Sequence, residues 1–432
     1  MRLSPKEIET ALCSAIHEGR FIPSVDKCAL IYDTVILEKR VAEIFSTFPS
    51  GTLHAVAIKA NPLEFALRKF VSLGCGLEAA TIPELELALN AGAEPASIVY
   101  DSPTKSKDDL RRALEVGCII NADSLQELKT IDSILAARNS SSSLIGLRVN
   151  PQVGQGTIAS TSVAGEYSKF GVPLRSRRSE ILEAYERYDW LSGLHFHVGS
   201  QACDMDMLLA AAEEMQDLLK EIEHRRRVKG ARNPIRFVDI GGGLPVEYLT
   251  SEPKSSIDEY AKALLERCPT IFNDERKVIT EFGRLINANS AFAVSEVEYV
   301  KEEAAGNTAM IHLGADMFLR ECYRPEDWPH EFIAFQPNGR ALVGLKDQYY
   351  NVAGPLCFAG DIVGKQILLP NLSVGDLIVV RDSGAYTLSM WSRYNSRQTP
   401  KVIAVSAGTA PRVVKEKETI DSIISFWRSS DE

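Results

Sequence analysis

Leu53-His54-Ala55-Val56-Ala57-Ile58-Lys59-Ala60-Asn61-Pro62 is a short apolar run closed by a lone lysine and, three residues on, by a proline. A strand that ends this way spends desolvation on a cation, which lowers the lysine pKa and favours the nucleophilic amine of Schiff-base chemistry. The alternative is a lysine that snorkels to water. Runs of the same kind recur at 74–80, 97–101, 117–122, 144–150, 193–199, 235–241 and 277–281. Each is followed by helical periodicity, as in Pro83-Glu84-Leu85-Glu86-Leu87-Ala88-Leu89-Asn90. With 53–59 they make eight β–α units, the number that a (β/α)8 TIM barrel requires, and such a barrel gathers its chemistry at the C-terminal strand ends. Lys59, Glu78, Arg148, His197, the Gly241–Gly243 turn and Glu281 all fall at such ends. An open doubly wound sheet shares the alternation but favours a phosphate fingerprint after its first strand.

Beyond about residue 290 the period changes to two, as in Ala291-Phe292-Ala293-Val294-Ser295-Glu296-Val297 and Asp376-Leu377-Ile378-Val379-Val380-Arg381. This predicts a C-terminal β domain, a β-sandwich or β-barrel, over 291–432, after a barrel over 45–290. The stretch Gln152 to Ser168, rich in Gly, Ser and Thr, reads as a loop over the barrel mouth, and Ser140 to Ser143 as a surface turn. The chain has 432 residues, 45% of them hydrophobic, which is enough to fill two domains. A net charge of −10 argues against nucleic acid as a partner, and the basic run His224-Arg225-Arg226-Arg227 reads as a solvated helix end. Eight cysteines lie singly, without a CxxC pair, as in a reducing compartment. No apolar stretch reaches the roughly 20 residues of a membrane span, so a cytoplasmic protein without membrane association is expected.

Three further segments carry chemistry. In Gly193-Leu194-His195-Phe196-His197-Val198-Gly199-Ser200-Gln201 two histidines at i and i+2 share a strand face and lead into a polar turn. His197 can lie against an aromatic ring, and Ser200 can donate to an anion. An HxH metal pair is discounted because no Cys or Glu follows at ligand spacing, so no metal is expected. Phe237-Val238-Asp239-Ile240-Gly241-Gly242-Gly243-Leu244-Pro245 ends a strand in three glycines whose N–H groups can approach a phosphate. Val278-Ile279-Thr280-Glu281-Phe282-Gly283-Arg284 ends a strand in an acid, which when buried needs a cation such as a protonated pyridine nitrogen.

In this order the segments resemble the fold-type III pyridoxal-phosphate enzymes, the family of diaminopimelate, ornithine and arginine decarboxylases and alanine racemase. The likeness extends to Gly354-Pro355-Leu356-Cys357-Phe358-Ala359-Gly360-Asp361, similar to the decarboxylases' GPxCxxxD segment, and to Asp382-Ser383-Gly384-Ala385-Tyr386, similar to their DxGAY segment. It is closest to the diaminopimelate decarboxylase branch. The resemblance implies an alanine racemase-like barrel, an N-terminal segment (1–44) that crosses to the β domain with Cys28-Ala29-Leu30-Ile31-Tyr32 as a strand, and pyridoxal 5'-phosphate held by Lys59. It implies that His197 stacks on the cofactor and Glu281 protonates its ring, with Glu78 and Arg148 as further contacts. Ser200, Gly242, Gly243, the backbone near Gly283 and Tyr386 would hold the phosphate. Cys357 would return a proton to the substrate, supplied by the neighbouring subunit of a homodimer with shared active sites. Lys169 could pair with Asp361 across that dimer.

The resemblance implies a carboxy-lyase acting on diaminopimelate or a related carboxylated diamino acid. The family's acid after the cysteine is here Phe358, and the EPGR segment reads Glu281-Phe282-Gly283-Arg284. Arg284 and Arg320 remain as forks for a distal carboxylate. Glu321 is a candidate replacement acid, with Tyr323 and Tyr386 beside the substrate. An ornithine-, lysine- or arginine-type substrate and a siderophore precursor stay open. A racemase, which would need a second base, and a catalytically silent regulator, which would be expected to lose cofactor residues, are the readings from other classes.

Overall fold

A computed structural model describes residues 1–137, 141–201, 203–230, 233–250, 256–273, 275–344 and 346–429. Ser140, the first serine of the expected surface turn, lies outside these. The chain divides into two compact units. One is formed by Val41–Val246 and Lys254–Leu285, the other by Met1–Arg40, Glu247–Pro253 and Ile286–Glu432.

The first unit is a barrel of eight parallel strands: β1 (Leu53–Ala57), β2 (Gly76–Ala79), β3 (Ile98–Asp101), β4 (Ile119–Ala122), β5 (Ile145–Asn150), β6 (Leu191–His195), β7 (Phe237–Asp239) and β8 (Lys277–Thr280). Each pairs with the next, and β8 pairs Ile279 and Thr280 with Leu53 and His54 of β1, which closes the ring. Both faces of these strands are covered, so they read as largely apolar runs, interrupted by residues such as His54, Glu78, Asn121 and Arg148, rather than as strict alternation. Inside, Ala55, Val99, Ile119, Phe237 and Ile279 form one packed cluster. The Phe237 ring fills the space that two glycines leave open: a Cβ on Gly146 would come 2.7 Å from its Cζ, and one on Gly193 would fall within the ring. Helices follow the strands, and five begin at a side chain that accepts from the N3 backbone N–H, namely Thr81, Ser106, Ser124, Asp204 and Ser256. The eighth helical segment is only one turn, Arg284–Asn287, because the period-two pattern resumes at Ala291.

The second unit is built on a mixed nine-stranded sheet. Cys28–Asp33 lies between Ala291–Glu303, antiparallel, and Lys401–Ser406, parallel. A packed cluster that includes Phe21, Ile31, Phe292, Phe335 and Val379 lies under this sheet. The amphipathic helix Pro5–His17 joins it through Ile8, Leu12 and Ala15, and a Ser4–Glu7 capping box starts that helix. No helix among the described residues is long and apolar enough to cross a membrane.

Candidate active site

Polar side chains collect at the C-terminal strand ends of the barrel, where the strand rule leads one to look. Lys59 sits in the single 3-10 turn Ile58–Ala60 that follows β1, and its Nζ makes an ion pair with Glu78 of β2. The desolvated lysine expected from the sequence is not what the structure gives. The Lys59 side chain is 42% exposed while Glu78 is fully buried, so an anion rather than burial singles this lysine out. Burial pushes Glu78 above the usual carboxylate range, and Lys59 pulls against it.

Asp101, the last residue of β3, pairs with Arg148 of β5 at 2.7 Å, and the Arg148 guanidinium lies 4.6 Å from the centre of the Phe170 ring. Burial works against the Asp101 charge, but the Arg148 guanidinium outweighs it and holds Asp101 well below its ordinary range. His195 ends β6 with no exposed surface, its Nδ1 3.7 Å from Asp101 and its Nε2 3.8 Å from Glu281. Ligand-type atoms of Asp101, His195 and Glu281 all lie within 4.8 Å of one another. A cation could be accommodated there, but Arg148 already supplies positive charge to Asp101. Burial drives the His195 pKa down to about 3 and that of His197 well below the histidine range. Burial, then the nearby Asp239, raises Glu281 well above its ordinary value, and burial lifts Asp239 to about 7.

The turn after β7 is shaped by close backbone approach. Gly241 and Gly243 have φ of +66° and +114°, and a Cβ on Gly242 or Gly243 would collide with the carbonyls of Glu281 and Gly199. The Gly242 N–H donates to His197 Nδ1 at 3.1 Å, which fixes that ring against the turn. Ser200 Oγ accepts from Arg284 Nε at 3.2 Å, so the arginine expected to fork a substrate carboxylate lies on the serine expected to hold phosphate. A Cβ on Gly283 would come 2.9 Å from the Cβ atoms of Ala57 and Ala60. The barrel therefore brings Lys59, Glu78, Arg148, His197, Ser200, Gly242, Gly243, Glu281, Gly283 and Arg284 to one end.

The remaining expected residues lie in the β unit. Cys357 is exposed, with its N–H donating to Asn395 Oδ1 at 2.8 Å and its carbonyl accepting from the Tyr394 hydroxyl at 3.1 Å. Phe358 stacks on Tyr323 at 5.9 Å between ring centres and meets Tyr394 edge-on at 6.1 Å. Asp361, expected to face Lys169, accepts from the N–H groups of Ala315 at 2.7 Å and Leu356 at 2.6 Å, and so fixes the loop that carries Cys357. Arg320 lies over the rings of Trp328 and Tyr386, at 4.8 and 5.0 Å. Tyr386 has φ +57°, and its loop is pinned where Gly384 packs on the Asn287 carbonyl and its own carbonyl accepts from Tyr32. Glu321, expected as a replacement acid for substrate, is buried against His330 at 3.2 Å instead. A side chain already paired inside the unit is poorly placed to seek a substrate ammonium.

Asp101, Asn121 and Asp239 were not among the expected site residues. Asn121 donates to Asp239 at 2.9 Å. The signal that could have found them is positional: Asp101 and Asp239 are the last residues of their strands, polar ends on apolar runs.

Residues 36–288 match the family model described as the pyridoxal binding domain of pyridoxal-dependent decarboxylases. The chain belongs to this family. It is 32% identical to the diaminopimelate decarboxylase of Pseudomonas aeruginosa, over 87% of this chain and 86% of that one. It is 30% identical to the Helicobacter pylori enzyme of the same name, over 87% and 88%. The crystal structure of the Helicobacter pylori enzyme complexed with L-lysine superposes with a TM-score of 0.80 at 26% identity, covering 92% of this chain and 96% of that one. A lysine/ornithine decarboxylase of Vibrio vulnificus shares the fold, with a TM-score of 0.75 at 23% identity. This chain is thus a pyridoxal-dependent carboxy-lyase.

Proposed function

We propose that the chain binds pyridoxal phosphate at the barrel's C-terminal end and, as a homodimer, decarboxylates a diaminopimelate-like, carboxylated diamino acid. The observation that carries this reading is the pairing of Lys59 with Glu78 beside Glu281, a buried carboxyl with an oxygen that meets no donor among the described residues. That donor set fits the cofactor: an amine for its aldehyde, an acid for its ring nitrogen, and a glycine turn for its phosphate. Bound there, the cofactor supplies an electron sink for the pair left on the substrate's α-carbon when CO2 departs.

The chain's own groups do the rest. Lys59 holds the aldehyde carbon, and Glu78 and Arg148 fix the charge around it. His197, braced by the Gly242 N–H, would pack against the ring, and Glu281 would hold a proton for the ring nitrogen. Ser200 and the backbone of Gly242, Gly243 and Gly283 hold the phosphate, to which the resemblance adds the Tyr386 hydroxyl. Anchoring at both ends leaves the scissile bond one orientation, the positioning share of the rate. Cys357, contributed by a second copy, returns the proton to the α-carbon.

The distal end of the substrate meets Phe358, Tyr323 and Tyr394, which offer rings and hydroxyls in place of a carboxylate. That favours a larger carboxylated diamino-acid derivative over diaminopimelate itself. CO2 release from diaminopimelate, lysine, ornithine and carboxylated diaminopropionate conjugates is the direct test, with a conjugate expected to turn over fastest. Lys59→Ala is expected to abolish the cofactor absorbance that borohydride reduces, and an unchanged spectrum would overturn the assignment.

A further inference from the structure

We propose that His195 is a positioning residue that bridges Asp101 and Glu281 and keeps the Glu281 carboxyl protonated until a basic ring nitrogen is placed against it. The inference rests on the reading that this site takes pyridoxal phosphate. Its starting point is a count of protons. A neutral imidazole offers one N–H and one lone pair, so between two carboxyls it can donate to only one. Nδ1 lies 3.7 Å from Asp101 and Nε2 3.8 Å from Glu281, and neither nitrogen has a hydrogen-bond partner among the described residues. Both separations exceed a hydrogen bond, and a small closing movement would make either one.

Asp101 is already the anion of a close pair with Arg148, so the imidazole proton belongs on Nδ1, facing Asp101. Nε2 then presents a lone pair to Glu281. Against a carboxylate that contact is repulsive, and against a carboxylic acid it is a hydrogen bond. The surroundings agree. The charged groups that face this pair are Lys59, Glu78, Asp101, Lys105, Arg148 and Asp239. Glu78 has Lys59, and Asp239 accepts from the Gly241 N–H at 3.0 Å and from Asn121 at 2.9 Å. Of the four buried carboxyls, Glu281 alone has no cation or N–H donor on its oxygens other than His195 among the described residues; its one further partner there is the Asp239 carboxyl, a hydrogen bond that itself requires a proton between the two acids. Burial displaces both groups in the direction the bridge needs, with the histidine neutral and the acid protonated. Were a basic ring nitrogen placed against Glu281, it would take the proton, an N–H bond forming there as the O–H bond of Glu281 breaks. The carboxylate left behind would pair with the cation just made, and no other proton or electron is required.

The test uses the full chain loaded with pyridoxal phosphate, with the cofactor absorbance followed against pH. His195→Phe removes both donor and acceptor, and it should move the titration midpoint by about one pH unit, as expected when a hydrogen bond to one protonation state is lost. His195→Gln, which keeps one donor and one acceptor, should recover at least part of that shift. A Phe variant that folds, binds cofactor and titrates like the unaltered chain would overturn the proposal. Should that variant not fold, 15N-histidine NMR of the unaltered, cofactor-free chain decides. A neutral His195 protonated on Nδ1 near neutral pH is expected, and an imidazolium there would overturn the bridge. Absence of borohydride-reducible absorbance in the unaltered chain would instead defeat the cofactor reading itself.

Discussion

His195 in the barrel and His330 in the β unit are both nearly free of solvent, and each lies beside a glutamate, yet the two environments drive them in opposite directions. At His330 burial opposes the charge, but Glu321 at 3.2 Å and the Arg381 carbonyl at 2.6 Å outweigh it, and the pKa rises. At His195 the nearest carboxylate oxygens stand 3.7 and 3.8 Å away, and burial wins. The carboxyls follow suit. Glu331, which accepts from the Thr250 hydroxyl and N–H and pairs with Arg2 and Arg381, is held below its ordinary range against the effect of burial, whereas burial lifts Glu281 and Asp239 above theirs. A polar network that only supports a fold closes its pairs. The barrel end closes Lys59 on Glu78 and Arg148 on Asp101 but leaves both His195 contacts at 3.7 and 3.8 Å, with His195 and Glu281 displaced toward their neutral forms, the pattern expected where a ligand completes the set.

The same substitution in the two regions should therefore change stability with opposite sign. The larger effect is expected from Glu321→Gln, which removes the charge that holds His330 protonated and should cost about 2–3 kcal/mol. Because the His330 pKa is raised in the folded state, that contribution is complete below the unfolded histidine value of about 6.5 and fades as pH rises through the folded value. The loss of melting temperature should therefore be greater at about pH 6 than at about pH 9. Glu281→Gln should instead stabilise the cofactor-free chain by about 1–2 kcal/mol, since a buried acid with a raised pKa is penalised wherever the unfolded state is ionised. That gain starts above the unfolded glutamate value of about 4.3 and grows toward alkaline pH, while decarboxylation collapses. A loss of stability from Glu281→Gln at alkaline pH would break the comparison.

The barrel was legible because its strands are buried on both faces. Eight apolar runs in the sequence became eight strands, and polar residues near or just past their C-terminal ends, such as Lys59, Glu78, His197 and Glu281, pointed to the site. What the sequence hid was pairing. Asp101, Arg148 and His195 lie on three different strands, 47 residues separating the first two, and nothing local says that the arginine closes on the aspartate while the histidine stops short. Lys59 was marked by its place after a strand, but its partner Glu78 and its partial exposure depend on how neighbouring strands register. In the β unit, Glu321 reads as a free acid until His330, nine residues on, is folded against it. Phe237 shows the converse: nothing local marks Gly146 and Gly193, yet a Cβ on either would strike that ring, and one on Gly146 would also meet Asn121 Oδ1 at 2.9 Å.

Phe358 is where the comparison can be sharpened by the smallest change. Its stack on Tyr323 and its edge contact with Tyr394 are each worth at most about 1.5 kcal/mol, and all three rings reach solvent, so Phe358→Glu should lower stability by less than that. Cys357 is held by its backbone, through Asn395 and Tyr394, and should keep its place. The variant restores the acid that related decarboxylases carry after the cysteine. If rings rather than charge select the distal end of the substrate, kcat/KM for diaminopimelate or lysine should rise by up to about tenfold, some 1.4 kcal/mol, and that for a bulkier conjugate should fall. An unchanged ratio between the two substrates would place the selecting group elsewhere, with Arg284 and Arg320 the next residues to vary.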